Sequence, residues 1–174
     1  MANRNSSRQT TLKLTITALF MAMVVALSSF GIPVPGGHLY LNDTVIVLAA
    51  MLLDPFWAFM AGGVGAFLGD MLFYPAPMFV SLVVHGLQAV IISVFSHYLM
   101  QNKPKASAMI GIILGALFMV LGYSLGRAYV YATPEYALIK LPFQFLQAAL
   151  GVVFGPILCW KCGIKKMYDK LMLK

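Results

Sequence analysis

Six runs of apolar residues, separated by short polar or Pro/Gly-rich breaks, organise this chain. The first covers 13–30 and stops at Gly31-Ile32-Pro33-Val34-Pro35-Gly36-Gly37, a cluster that cannot continue a helix. The second, 42–53, is short and halts at Asp54-Pro55. The others cover 56–73, 78–100, 108–131 and 137–159, with breaks at Tyr74-Pro75-Ala76-Pro77, Gln101-Asn102-Lys103-Pro104-Lys105 and Thr133-Pro134-Glu135. About 20 apolar residues cross a bilayer. The pattern therefore predicts an all-α, polytopic membrane protein, six transmembrane helices in a compact bundle. Residues 1–174 are expected to form a single transmembrane domain with a short N-terminus at 1–12 and a basic tail at 161–174. The second run is too short to span alone, so it is expected to be tilted, locally thinned around, or buried by its neighbours.

Composition supports this. Of 174 residues, 61% are hydrophobic and 10% charged, against roughly 25% charged in soluble domains. There is too little polar surface to face water. Arg4, Arg8 and Lys13 before an apolar run could begin a signal peptide, but 14–30 is long for one and Ala26-Leu27-Ser28 is a weak cleavage site, so the run reads as a first span. The net charge of +7 does not point to nucleic acid, because Lys and Arg sit between the apolar runs rather than in a stripe with aromatics. With an even number of spans, Arg4, Arg8, Lys13, Lys103, Lys105, Lys161, Lys165, Lys166, Lys170 and Lys174 share one side, which the positive-inside rule makes cytoplasmic. Both termini are then cytoplasmic, and only Arg127 and Lys140 lie near the other face. The Cys159-x-x-Cys162 pair lacks a thioredoxin-like context and is expected to stay reduced.

Small residues mark helix contacts. Gly65 and Gly69, Gly111 and Gly115, Gly122 and Gly126, and Gly151 and Gly155 each have G-x-x-x-G spacing, which suits packing within the bundle. Ala18, Ala22 and Ala26 form a similar ladder on the first span, suited either to the bundle or to a partner.

The depth of the polar residues carries the functional signal. Asn42 and Asp43 open the second helix, Asp70 lies a turn from the outer end of the third, and His85 and Gln88 lie inside the fourth. Tyr123, Arg127 and Tyr131 line the outer half of the fifth, and Lys140, Gln144 and Gln147 that of the sixth. The inner halves are nearly all apolar or small. An ionisable side chain at membrane depth costs at least ~2.5 kcal/mol, so several at one level point to an outward-opening polar cup. The alternative is mutual satisfaction, such as Asp70 or Asp43 paired with Arg127. No phosphate-binding loop, H-E-x-x-H or metal-ligand spacing is present, so the chain reads as a binder that something else must move. A channel or secondary transporter would need a polar route through the inner half, and none is visible. An enzyme using Asp70 or His85 as acid or base would lack a nucleophile partner.

The chain resembles the substrate-binding S components of energy-coupling factor (ECF) vitamin transporters, the group with hydroxymethylpyrimidine- and riboflavin-type members. The resemblance rests on Ala18-x-x-x-Ala22, Pro35-Gly36-Gly37-His38-Leu39-Tyr40-Leu41-Asn42-Asp43, Leu48-Ala49-Ala50-Met51-Leu52-Leu53-Asp54-Pro55 and Ala61-Gly62-Gly63-Val64-Gly65 with Gly69-Asp70. It continues through Gly122-Tyr123 and Pro142-Phe143-Gln144-Phe145-Leu146-Gln147. It implies six helices, a water-soluble vitamin bound near the outer face, and a loop between the first two helices lying over the site, which adds Tyr40 to the candidate contacts. It also implies that Ala18, Ala22 and Ala26 meet a transmembrane coupling (T) component joined to two cytoplasmic ATPases. ATP and Mg would act there, with no cofactor on this chain, and the S component would topple to release its cargo. The family pattern often has an acidic residue near Arg127, a basic one near His85 and Asn near Gln144, so the cargo can differ. Arg127 could clamp a carboxylate, as in pantothenate. His85, Tyr123, Gln144 and Gln147 suit a small heteroaromatic such as hydroxymethylpyrimidine or pyridoxine, the reading the resemblance favours.

Overall fold

The computed structural model describes residues 2–173, with side chains from residue 7 onward. Arg4 and Lys174, two of the basic residues used for orientation, lie outside the described side chains. Among the described residues there are seven helices: α1 Ala2–Ser28, α2 Asn42–Leu52, α3 Pro55–Phe73, α4 Met78–His97, α5 Pro104–Tyr131, α6 Pro134–Lys161 and α7 Ile164–Leu173. Hydropathy marks where lipid begins, not where a helix does. Hence α1 starts well before residue 13, and α5 and α6 start at prolines in their first turns, where a missing N–H costs nothing.

Five of the six apolar runs form helices long and apolar enough to cross a membrane. The exception is α2, whose 11 residues reach only about 16 Å at 1.5 Å per residue. It is enclosed by α1, α4 and α6, and every residue from Val45 to Leu52 is buried. The neighbouring helices bury the short run. Ile46, Leu53, Ile92 and Ile112 pack with it into an apolar core.

The paired glycines let the helices close on one another. A Cβ on Gly69 would strike Ser28 of α1, one on Gly115 would meet Ile92 of α4, and one on Gly122 would meet Val84 of α4. Gly151 faces Asp43, and a Cβ at Gly155 would sit 2.5 Å from Val47 Cγ1. The alanine ladder differs. Thr17, Phe20, Val24 and Ser28 form the buried face of α1, while Ala18, Ala22 and Ala26 are exposed. The ladder does not pack the bundle's own core.

Two further differences from the sequence expectation stand out. The loop after α1 is an ordered hairpin, β1 Ile32–Val34 paired antiparallel with β2 Gly37–Leu39. Pro35 and Gly36, with Gly36 at φ 80°, supply the tight turn between them. The basic tail is also helical: α7 turns Ile164 and Tyr168 onto the core and leaves Lys165, Lys166 and Lys170 outside. Loss of water around Tyr168 lifts its phenol pKa to about 12. Lys13 pairs with Asp54 at this same end, opposite the hairpin. Cys159 is buried, Cys162 is exposed, and both are free thiols.

Replacing Gly155 with Val should force α6 away from α2 and cost about 1–3 kcal/mol. A clearly lower unfolding temperature in detergent would show it; an unchanged one would mean the two helices are not held in this register.

Candidate functional site

The site is built around Asp43, in the first turn of α2 and 1% exposed. A carboxylate there gains from the helix N-terminus, yet burial still demands that its lone pairs be met. Gln88 of α4 donates Nε2–H to Oδ1 at 3.0 Å, and Gln147 of α6 donates Nε2–H to Oδ2 at 2.5 Å. One carboxylate therefore ties three helices together. His85 Nδ1 lies 2.7 Å from Gln88 Oε1 and 3.8 Å from Asp43 Oδ1. Gln147 Oε1 accepts from the Tyr40 backbone N–H at 3.2 Å, which carries the network into the loop above.

A second acid anchors the other wall. Asp70 of α3 accepts from the Ser81 hydroxyl of α4, and Ser81 Oγ accepts from the Tyr123 hydroxyl of α5 at 2.5 Å. The His85 and Tyr123 rings meet edge to face, centroids 5.1 Å apart. Asn42 donates to Ser28 Oγ at 3.3 Å, while its own Oδ1 is buried and unpaired.

Above lies the hairpin, held by two cations. Arg127 Nη1 donates to the Gly36 carbonyl at 2.6 Å, and Lys140 Nζ donates to the His38 carbonyl at 2.7 Å. Both cations are buried, at 7% and 2% exposure. Arg127 begins a π-helical turn, Arg127–Tyr131, and its Nη2 also donates to the Tyr131 hydroxyl at 2.9 Å. The hairpin tip rests on α6 so closely that a Cβ on Gly36 would lie 2.9 Å from Lys140 Cβ. Desolvation, with Asp70 next in effect, lifts the Tyr40 phenol well above its ordinary pKa, so it stays neutral.

Beneath the hairpin is a cavity bordered by Asn42, Asp70, His85, Tyr123, Gln144 and Gln147, with His38, Tyr40, Arg127 and Lys140 forming its roof. It has about 20 Å³ of free volume, room for about one water. Outside the hairpin, Gly37, Tyr74, Arg127, Tyr131 and Tyr136 line a vestibule of about 280 Å³.

The structure thus gathers nearly all the sequence candidates at one level, with three adjustments. Asp43 and Gln88 stand behind the cavity wall and position His85. Tyr131 lies in the vestibule, braced against Arg127. Neither acid pairs with Arg127, whose donors go to a backbone carbonyl and a phenol, so the ion-pair alternative is not what the structure contains. Tyr74 and Pro77 also line the cavity without having been candidates, and two further residues outside the candidate set matter more. Ser81, which joins Asp70 to Tyr123, is one turn before His85 on the same face of α4, a spacing that would have flagged it. His38 enters through its backbone carbonyl, which no side-chain pattern reveals.

A bundle of long apolar helices enclosing a polar cavity beneath a hairpin defines a multi-pass membrane protein. Residues 8–164 match the family described as ECF-type riboflavin transporter, S component, and the chain belongs to that family. It is a transporter subunit of the membrane. It is also 35% identical over 136 residues to a protein of Pyrococcus woesei described as an uncharacterized protein in gap 3'region, covering 77% of this chain and 89% of that one.

Replacing Arg127 and Lys140 together with Met should free the hairpin while leaving the bundle folded. Amide exchange at residues 37–39 should then rise at least about tenfold, as local opening becomes cheaper by one or more hydrogen bonds to charged groups. Unchanged protection would show that the cations do not hold the hairpin down.

Proposed function

We propose that this chain captures a water-soluble vitamin or vitamin precursor at the outer face of the cell membrane and hands it inward with the help of a coupling subunit. One observation carries the reading: a polar cavity beneath a hairpin latched by two buried cations, above an apolar inner half. Such a site can bind and occlude a solute, but it offers no continuous polar path for that solute to leave on the far side. The cavity is too small for a vitamin ring, so loading requires the hairpin to lift and reseat. Within the family reading, a transmembrane coupling protein and two ATPases provide the driving step, and this chain hydrolyses no ATP.

The orientation follows the charge pattern. Lys13, Lys103, Lys105 and Lys165 gather at the end opposite the hairpin, and the positive-inside rule makes this a reason to orient both termini toward the cytoplasm. The exposed Ala18, Ala22 and Ala26 offer the coupling partner a close-approach face. Among candidate cargoes, hydroxymethylpyrimidine or pyridoxine fits a cavity flanked by His85, Tyr123 and two glutamines better than pantothenate does, because Arg127 is committed to the hairpin. The family's name speaks of riboflavin, which would need a much wider opening than the smaller rings.

Two measurements test this. Purified protein screened by calorimetry against water-soluble vitamins and precursors should bind one of them at micromolar concentration or below; no hit would sink the reading, and uptake into liposomes by this chain alone would favour an autonomous carrier. Ala18→Leu with Ala22→Leu should abolish uptake in cells carrying the coupling subunits while cargo binding stays within about twofold, as for substitutions that leave the site's contacts intact. Loss of binding as well would place the ladder in the protein's own architecture.

A further inference from the structure

A separate cavity lies at the other end of the bundle, away from the hairpin. It holds about 200 Å³ and is bordered by Met51 of α2, Ser96 of α4, Pro104 and Lys105 opening α5, Trp160 closing α6, and Lys165 of α7. Its walls divide by chemistry. Met51 is buried and Trp160 half-buried, and they make an apolar floor. Lys105 and Lys165 are exposed and form a cationic rim drawn from two different helices.

This charge is little used by the fold. Lys105 has no ion-pair or hydrogen-bond partner among the described residues. Lys165 meets Asp169 at 3.4 Å with both side chains 47% exposed, a contact worth little in water that leaves other N–H donors free. The only other acid at this end among the described residues is Asp54, which Lys13 holds. The first turn of α5 adds the positive end of a 28-residue helix. Ser96 Oγ is buried without a partner, whereas the Ser93 and Ser107 hydroxyls beside it each donate to a main-chain carbonyl at 2.6 Å. The cavity thus has positive charge and a spare hydroxyl around an apolar floor, a combination that suits an anion attached to an apolar body.

The surroundings say where such an anion comes from. Ile164 and Tyr168 turn one side of α7 onto the core. Met167 and Leu171 occupy the adjoining flank, 61% and 41% exposed, and Lys166 and Lys170 lie on the far side. A short helix with an exposed apolar flank beside a basic face belongs in the headgroup layer of a bilayer. Tryptophan favours the same layer, and Trp160 stands at the end of a spanning helix.

We propose that this cavity seats the headgroup of an anionic phospholipid, its phosphate held between Lys105 and Lys165 at the start of α5 and the head of its acyl chain against Trp160. The proposal is independent of what the hairpin encloses. Among the described residues no hydrogen bond or ion pair joins α5 to α7, so an occupying lipid supplies a link between them that the chain itself lacks.

The test uses Trp57→Phe, which leaves Trp160 as the sole tryptophan of the full chain. Reconstituted in phosphatidylcholine vesicles, this protein should be quenched by phosphatidylglycerol brominated near the glycerol. Brominated phosphatidylcholine should need a mole fraction at least about fivefold higher for the same quenching. Lys105→Gln with Lys165→Gln should bring the two lipids within about twofold of each other. Lys103→Gln with Lys166→Gln removes the same charge outside the cavity and should leave the preference intact. Absence of a preference, or its equal loss in both lysine pairs, overturns the proposal, because the lysines then act only as diffuse surface charge. Relief of the quenching by millimolar inorganic phosphate or glycerol phosphate would assign the cavity to a soluble anion and overturn it as well. Should Trp57→Phe not fold, mass spectrometry of the chain with both tryptophans, released from mixed-lipid micelles, should show phosphatidylglycerol retained, lost in the first lysine pair and kept in the second. Retention in the first pair, or loss from both, overturns the proposal by this route.

Discussion

Everything at the outer level depends on one buried carboxylate. A carboxylate at 1% exposure needs its lone pairs met, and the amides of Gln88 and Gln147 meet those of Asp43. Those amides belong to α4 and α6, so meeting the demand of one acid sets the spacing of three helices. Gly151 matters for the same reason, because it lets the α6 backbone come against the Asp43 Cβ and main chain. In a lipid solvent, where apolar burial does little to drive helices together, such polar links and close contacts carry much of the specificity.

From that anchor the site grows in two directions. Downward lies the apolar core around α2, which lacks the length to span and survives because its neighbours cover it. Upward, Gln147 passes the link to the Tyr40 backbone and so to the hairpin, where Arg127 and Lys140 take over. The Asp70–Ser81–Tyr123 chain braces the opposite wall. The cavity is therefore framed by α2, α3, α4, α5 and α6, each contributing side chains whose orientation another helix dictates.

Much of this was legible in the sequence, for physical reasons. Polar residues at equal depth in apolar runs are costly enough that Asp43, Asp70, His85 and Gln147 could be grouped without coordinates. The glycine pairs announced close helix contacts. What the pattern could not show were interactions made through the main chain. A side-chain reading that put Arg127 and Lys140 in the polar cup could not see that they also bond the carbonyls of Gly36 and His38. The hairpin was hidden for a similar reason: Pro35 and Gly36 signal a break in a helix equally well whether the chain then wanders or pairs with itself. The exposure of Ala18, Ala22 and Ala26 was also undecidable, since small residues serve inner and outer faces alike.

The latch grips backbone, not side chains, and this separates two kinds of change. Residues on the hairpin can be exchanged without loosening Arg127 or Lys140, provided Pro35 and the positive φ of Gly36 keep the turn. Residues on the cavity walls can be exchanged without altering what holds the hairpin shut. Closure and selectivity can therefore drift independently, so that one closing device can be inherited unchanged by descendants that take up different molecules.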